Sequence, residues 1–297
     1  MFKDRTPYQY RFLDTLTDSS PSTHKFSESL YLSDLAMLKH RLLYFGTLFG
    51  SSRLRLKNTT NISIRGSVRQ SMSFSNPILI NAASSIAESM GDLYLGVHVR
   101  LGDGEFRRNA EHNVRSVWWK LLHQALECTL EETLELEYIF LRPARNSTVD
   151  IPPIALDLKG ATPDLSLTQV MQRKSPLLKL KCRGQLHVRR RFNRFNIPLF
   201  VSTDVPNPLV NPLLTRFHKV FPCIFYLSDF AADFASLGHL QNDDDGVMLG
   251  EFLLPFLDAM VVAHAWKFVG TEKSTFSSFA QDILWRRYHG RPIVQRG

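Results

Sequence analysis

The stretch Leu95-Gly-Val-His-Val-Arg-Leu-Gly-Asp-Gly-Glu-Phe-Arg-Arg108 turns abruptly from an apolar run into glycine and charge. Its alternating apolar side chains predict a β-strand, and the glycines that follow predict a tight turn. We therefore expect His98, Arg100 and Asp103 at the carboxyl end of this strand. In an open α/β sheet that edge forms the ligand crevice, where a guanidinium oriented by a carboxylate suits a phosphate. A salt bridge in a surface loop is the alternative interpretation.

Two later stretches also predict strands that end in polar residues. Pro198-Leu-Phe-Val-Ser-Thr-Asp204 is a short apolar run typical of a buried parallel strand. Lys267-Phe-Val-Gly270 is followed by Thr271-Glu-Lys-Ser-Thr-Phe-Ser-Ser-Phe279, which predicts the start of the last helix. Because predicted strands alternate with predicted helices, the expected fold is α/β with a doubly wound, Rossmann-like parallel sheet.

The start of the last predicted helix and one carboxylate are further candidate site residues. Ser274 and Thr275 follow a strand and a glycine, so their hydroxyls and the nearby amides could bind a diphosphate. An ordinary helix N-cap is the alternative. Asp258 lies within an apolar helical stretch, where a carboxylate needs a partner such as a base, a ribose hydroxyl or Lys267.

The remaining segments complete the predicted organisation. Residues 1–75 are predicted to be a helical and polar segment, a linker or the remnant of an acceptor lobe, and residues 76–297 a nucleotide-binding domain. A basic insertion is predicted at 143–196, where Lys179–Arg194 is interpreted as a solvated, partly disordered loop rather than a surface for an acidic acceptor or a membrane. Asp243, Asp244 and Asp245 are interpreted as helix caps rather than metal ligands.

Further helices are predicted at Leu30–Leu48, Ser71–Met90, Ser116–Leu130, Leu209–Val220, Asp229–Ala235 and Val247–Ala265, and further strands at Tyr138–Leu141 and Ile224–Leu227.

Composition narrows the function classes. The chain has 297 residues, 44% of them hydrophobic, and a formal charge of +8, which favours anionic partners. Three widely spaced cysteines indicate neither a zinc site nor a dense disulfide framework. The sequence has no Walker loop, no Gly-x-Gly-x-x-Gly after a strand and no supported Ser-His-Asp set, so hydrolase and dehydrogenase functions are excluded. No transmembrane segment or signal is predicted, whereas glycosylation sequons at Asn58, Asn61 and Asn146 favour a lumenal protein.

Three motifs together resemble a known family. His98-Val-Arg-Leu-Gly-Asp103, Val201-Ser-Thr-Asp204 and Gly270-Thr-Glu-Lys-Ser-Thr-Phe276 are similar, in order and spacing, to the signature of the GDP-fucose protein O-fucosyltransferase family. The similarity is closest to its fungal members, in which an aspartate-bearing helix precedes the third motif and Tyr-His-Gly follows it. Here these features are Asp258 and Tyr288-His-Gly290, so the resemblance extends from Tyr94 to Gly290.

The resemblance implies an inverting, metal-independent transfer of fucose from GDP-fucose to a protein or glycan hydroxyl. It also implies a two-lobed GT-B fold whose C-terminal lobe binds the donor, in the lumen of the endoplasmic reticulum or Golgi. Arg100 would be the catalytic residue, binding the β-phosphate and stabilising the leaving GDP. The resemblance implies that the donor-binding residues are His98, Arg100, Asp103, Asp204, Asp258, Ser274, Thr275 and Phe276. Of these, Ser274, Thr275 and the Phe276 amide would bind the phosphates. Asp103 and Asp258 would contact or support the nucleoside.

Two other functions stay open at this point. The chain could bind GDP or a nucleotide sugar without transferring it. It could instead be a basic scaffold whose Lys179–Arg194 segment binds nucleic acid or anionic lipid through counterion release, although no nucleic-acid-binding motif is recognised there.

Overall fold

The structure, a computed structural model, describes residues 2–3, 9–16, 26–44, 53–141, 167–173 and 180–294. The chain forms two compact units. The N-terminal unit comprises Met1–Met72 and Ile293–Gly297, and the main unit comprises Ser73–Pro292. No helix in the described part of the chain is long and apolar enough to cross a bilayer.

The strands and helices are numbered along the chain. The strands are β1 (Phe2–Lys3), β2 (Tyr10–Leu13), β3 (Glu28–Tyr31), β4 (Leu43–Tyr44), β5 (Leu54–Arg55), β6 (Leu95–Val99), β7 (Leu199–Thr203), β8 (Ile224–Phe225) and β9 (Lys267–Gly270). The α-helices are α1 (Leu32–Ala36), α2 (Thr59–Ser71), α3 (Pro77–Met90), α4 (Gly104–Arg108), α5 (Ala110–Lys120), α6 (Leu130–Leu141), α7 (Leu167–Arg173), α8 (Thr215–Val220), α9 (Gly250–His264), α10 (Thr275–Phe279) and α11 (Arg286–Tyr288). Leu121–Ala125 and Ala280–Trp285 are π-helical, and Arg190–Asn196, Pro212–Leu214, Leu227–Phe230 and Ala235–His239 are 3₁₀-helical.

The N-terminal unit contains short parallel strands. Strand β2 pairs with β3 on one side and β5 on the other, and β1 pairs with β4. The helix predicted at Leu30–Leu48 is therefore wrong, since this stretch contributes to β3, α1 and β4, with residues 45–48 outside the described part. Helix α1 buries none of its residues, and the ends of the stretch pair as strands instead, Leu30 and Tyr31 with β2 and Leu43 and Tyr44 with β1.

The main unit is built on a parallel sheet with the order β8-β7-β6-β9. In register, Leu95 lies opposite Leu199 on one side and Lys267 on the other. Each pairing is parallel, as the alternation of strands and helices predicted. The strands predicted near residues 95, 199 and 267 are confirmed, and the chain is α/β.

Helices cover both faces of this sheet. On β6, Leu95, Val97 and Val99 pack in one buried cluster with residues of α5 and α8. The opposite face belongs to a second cluster, which contains residues of α3 and α9. Gly96 allows α9 to approach, because a β-carbon there would lie 2.6 Å from the backbone oxygen of Val262.

Several predicted elements of the main unit are corrected. Tyr138–Leu141 is the end of helix α6 rather than a strand, because Glu137 lies buried and accepts hydrogen bonds from Arg115 and Trp119. The helix predicted at Ser71–Met90 is confirmed only from Pro77, where α3 begins, because Asn76 accepts from the backbone amides of residues 78 and 79 and caps it.

The bounds of three more helical predictions also change. The helix predicted at Ser116–Leu130 begins earlier, at Ala110, and ends as a π-helical turn at Ala125. Within Leu209–Val220, helical structure begins only at Pro212, which a capping bond to Asn211 fixes. Asp229–Ala235 is not one helix: its two ends belong to separate 3₁₀ segments, and residues 231–234 form the turn between them.

The predicted capping role of the acidic triplet is wrong. Helix α9 begins at Gly250 and receives no side-chain cap. Asp245 instead accepts from the Val247 amide at 3.1 Å and from the Asn242 side chain at 2.8 Å. Asp243 to Asp245 therefore form a turn, whose flanking residues 241 and 248 form an antiparallel bridge.

The basic segment is ordered where the structure describes it, from residue 180 onward. Cys182 forms a disulfide with Cys223. The Asn196 side chain accepts from the His187 amide and donates to the His187 carbonyl, both at 2.9 Å. Most of residues 181–190 are exposed, as expected of a solvated loop, and these contacts tie it to neighbouring segments. Residues 142–166 and 174–179, with the sequon at Asn146, lie outside the described residues.

Candidate functional site

The carboxyl ends of β6, β7 and β9 lie side by side and are joined by side-chain hydrogen bonds. His98 is in register with Ser202 of β7 and Gly270 of β9. The Thr271 hydroxyl donates to the His98 carbonyl at 3.1 Å and accepts from the Arg100 amide at 2.9 Å. The chain leaving β6 is thus held against the end of β9, which positions Arg100.

Asp204 fastens the loop after β6 to the end of β7. Its Oδ1 accepts from the Leu101 amide at 2.8 Å, and its Oδ2 accepts from the Gly102 amide at 3.0 Å. A β-carbon at position 102 would lie 2.7 Å from Oδ2, so glycine is what lets the carboxylate approach. The predicted site residue Asp204 therefore acts, in this structure, by positioning the loop.

The Arg100 guanidinium lies between two carboxylates at this edge. Its Nη2 donates to Asp103 Oδ2 at 2.7 Å, and its Nε lies 3.1 Å from Asp204 Oδ2. The bond to Asp103 is the main cause that raises the pKa of Arg100 above its ordinary value. The side chain remains 33% exposed, and no described residue accepts a hydrogen bond from Nη1. One edge of a fixed, charged fork is therefore free to bind an anion.

His98 lies beneath this edge rather than in solvent. It is 3% exposed, its Nδ1 lies 2.7 Å from Ser277 Oγ, and its ring centroid lies 4.2 Å from that of Phe276. Burial, together with the positive charge of Arg100, lowers the pKa of His98 to about 3. The imidazole is thus neutral and joins the sheet to helix α10, which makes it a support for the site.

Ser274 is the N-cap of α10. Its hydroxyl accepts from the Ser277 amide at 3.3 Å, and the residue is 2% exposed. This is the N-cap geometry considered as the alternative to phosphate binding. Thr275 is exposed and Phe276 is half-buried, so the predicted set presents Thr275 to solvent in front of the buried Ser274.

Asp258 reaches the sheet from α9. Its Oδ2 accepts a hydrogen bond from Ser202 Oγ, so its protein partner is Ser202 rather than the Lys267 considered from the sequence. Its Oδ1 is buried and has no partner among the described residues. Burial raises the pKa of Asp258 to about 7, and the bond from Ser202 opposes this shift. A buried oxygen with no donor is a site where a ligand N–H or O–H would be stabilising.

Sequence reasoning missed several residues that support this site. Ser202, Thr271 and Ser277 are small hydroxyl residues whose partners lie on other elements, so no local pattern reveals them. Lys273 has a φ of 59°, a left-handed conformation in which the chain turns from β9 into α10. Positive φ at a lysine carries no sequence signal.

Metal ligands do not cluster in the part of the chain that the structure describes. These residues contain no group of three or more His, Cys, Asp or Glu side chains arranged to hold a metal ion. Comparisons with protein-family models, curated proteins and solved structures find no match for the chain. Any function must therefore be inferred from the residues and their geometry.

Proposed function

We propose that the chain binds GDP-fucose at the carboxyl edge of the main sheet and transfers fucose to a hydroxyl of a protein or glycan acceptor. In this proposal Ser73–Pro292 is the donor-binding lobe of a GT-B O-fucosyltransferase. The supporting observation is Arg100, a partly exposed guanidinium fixed by Asp103 and Asp204 beside the ends of three parallel strands. Such an edge is where open α/β sheets bind phosphorylated ligands.

The proposed reaction gives Arg100 its role. The acceptor oxygen forms a bond to C1 of fucose and loses its proton to water, while the bond between C1 and the β-phosphate oxygen breaks and GDP departs with the electron pair. Negative charge therefore grows on the β-phosphate as the transition state is reached. A guanidinium already held in place stabilises that charge without reorganisation, which lowers the barrier.

The neighbouring groups would orient the rest of the donor. Thr275 and the amides at the start of α10, including that of Phe276, lie next to the end of β9 and would donate to phosphate oxygens. Asp258 Oδ1 would accept from an N–H of the guanine or a hydroxyl of the ribose, because it lacks a partner among the described residues. His98 and Asp204 would hold the surrounding loops in place.

A lumenal location is part of the proposal. The disulfide between Cys182 and Cys223 supports it, because such bonds persist in oxidising compartments and are rare in the cytosol. The sequons support it as well. Asn58 and Asn61 lie at the start of α2, where Asn58 is exposed.

Calorimetry with GDP in a chelating buffer tests the binding step. GDP should bind without divalent metal, and Arg100→Ala should weaken binding by about 2–3 kcal/mol, since a charge-assisted pair is lost. Arg100→Lys should not restore it, because an ammonium lacks the planar fork. Arg183→Ala is the matched control: this arginine also pairs with an aspartate and is 30% exposed, but it precedes β7 in the chain and donates to the Ile224 carbonyl of the edge strand β8.

The outcomes separate the proposals. Equal GDP affinity for the wild type and Arg100→Ala would remove Arg100 from the site, and a requirement for Mn²⁺ would contradict the metal-independent mechanism. Release of GDP from GDP-fucose, followed with and without acceptor glycoproteins, then tests transfer. Binding of GDP with no release under any condition would support a non-catalytic nucleotide-binding protein instead.

A further inference from the structure

The basic loop, residues Lys181–Arg191, is an ordered projection from the main unit. Cys182 is joined by its disulfide to Cys223, and the Gly184 amide donates to the Pro222 carbonyl at 2.9 Å. The ring Nε2 of His187 lies 2.9 Å from the Val220 carbonyl. A β-carbon at Gly184 would lie 3.0 Å from Pro222, which shows how closely the loop is fitted to the chain before β8. The loop is therefore held against the segment that precedes β8, with its outer side chains directed to solvent.

The outer surface of the basic loop combines apolar and positively charged side chains. Leu186 is 50% exposed and Val188 is 89% exposed. Lys181, Arg189 and Arg190 are also exposed, and none of them pairs with a described carboxylate. The acidic residues that contact this region are occupied by other arginines, in the pairs Arg183–Asp229, Arg191–Glu135 and Arg194–Glu132. Among the described residues, the loop thus presents positive charge without a paired carboxylate around two exposed aliphatic residues.

The basic loop lies at the opposite end of the sheet from Arg100. Its contacts at Val220 and Pro222 lie before β8, and Asn196, which holds His187, lies before β7. The candidate site follows the carboxyl ends of the strands. The five residues of β7 separate the two ends by about 15 Å. Most contacts of the loop are thus with the amino ends of the strands, and Arg183 also pairs with Asp229, which follows β8.

We propose that the basic loop docks the protein on an anionic lipid bilayer, with the carboxyl edge of the sheet facing away from the membrane. Lys181, Arg189 and Arg190 would be attracted by lipid phosphates, while Leu186 and Val188 would insert among the upper acyl carbons. The exposed aliphatic side chains favour a bilayer over nucleic acid as the partner, because nucleic acid would interact with the positively charged side chains alone. This inference does not rest on fucosyl transfer. In the lumenal location proposed above, it requires that the lumenal leaflet carry anionic lipid.

Sedimentation with vesicles tests the docking. The full chain should sediment with vesicles of phosphatidylcholine mixed with phosphatidylserine, and not with phosphatidylcholine alone. Arg189→Glu with Arg190→Glu should reduce the bound fraction at least tenfold at low salt. Leu186→Ser with Val188→Ser should remove the binding that persists at higher salt, because the apolar contribution is not screened.

A charge-matched control separates local docking from net charge. Arg107→Glu with Arg108→Glu makes the same change of charge on the exposed surface of α4, near the other edge of the sheet, and should sediment like the wild type. Melting temperatures verify that each variant is folded, and Arg189→Gln with Arg190→Gln replaces the reversal if it unfolds. The proposal is overturned if the wild type does not sediment, if both charge reversals lose binding equally, if the serine pair has no effect, or if the wild type binds RNA but not vesicles.

Discussion

At the scale of single residues, His98 and Asp258 are buried titratable groups whose effects on stability oppose each other. Asp258 has a folded-state pKa of about 7, above its ordinary value of 3.8. The unfolded chain therefore loses this proton first, and stability falls as pH rises from about 4 to 7. His98 has a folded-state pKa of about 3, below its ordinary value of 6.5. Its contribution to stability therefore falls as pH decreases from 6.5 to about 3.

Asp258→Asn separates the two effects. The amide keeps an acceptor for Ser202 and removes the buried charge. Without GDP, we therefore expect the free energy of unfolding of the variant, relative to that of the wild type, to increase by about 2–4 kcal/mol from pH 5 to pH 8. Urea unfolding at the two pH values measures the gain. If the difference between variant and wild type is the same at both pH values, Asp258 does not titrate in this window. In the proposed function the same variant binds GDP more weakly, because an acceptor is lost.

The partner of Asp258 illustrates what a sequence can predict at this scale. A carboxylate in an apolar helix must have a partner, and this expectation was correct. The identity of the partner, Ser202, depends on the register of β6 against β7 and on the approach of α9. Neither is encoded within a short stretch of sequence.

At the scale of elements, the strands that deliver the candidate site were predictable and several others were not. Strands β6, β7 and β9 are short apolar runs that end in glycine, hydroxyl or carboxylate residues. The apolar pattern and the residues that end it therefore both predict a strand. Leu30–Leu48 has helical spacing, but helix α1 buries none of its residues, and the two ends of the stretch pair with β2 and β1 as strands. The four residues Tyr138–Leu141 are too few for periodicity to separate a strand from the end of a helix.

Close packing of α9 on β6 yields a prediction at the same scale. Gly96→Ala should destabilise the main unit by about 1–3 kcal/mol, because the added methyl group would lie 2.6 Å from a helix carbonyl oxygen and the helix must shift. Gly238→Ala is the control, since a methyl group there would have no atom within 4 Å and the backbone φ is not positive. Thermal unfolding of both variants measures the difference. Equal melting temperatures would show that α9 is free to move away from the sheet.

At the scale of the whole molecule, the two buried clusters of the sheet lie entirely within Ser73–Pro292. A fragment of residues 73–292 should therefore fold cooperatively and, under the proposed function, bind GDP as tightly as the full chain. Calorimetric unfolding and GDP titration of the fragment test this. A fragment that folds but has lost GDP affinity would show that the N-terminal unit contributes to donor binding. A fragment that does not fold would show that the main unit depends on the N-terminal unit for stability.

The order of the main sheet also has a consequence for biosynthesis. Strand β6 is an inner strand, yet its neighbours β7 and β9 are encoded far downstream. On the ribosome, β6 emerges long before Lys267–Gly270 has been translated, so one side of its backbone stays unpaired in the nascent chain. Sheets closed by such distant segments form slowly and leave strand edges open to aggregation. Because β9 is the last strand of this sheet to be translated, Thr271 and Ser274 reach the candidate site only after β6, β7 and β8 have emerged.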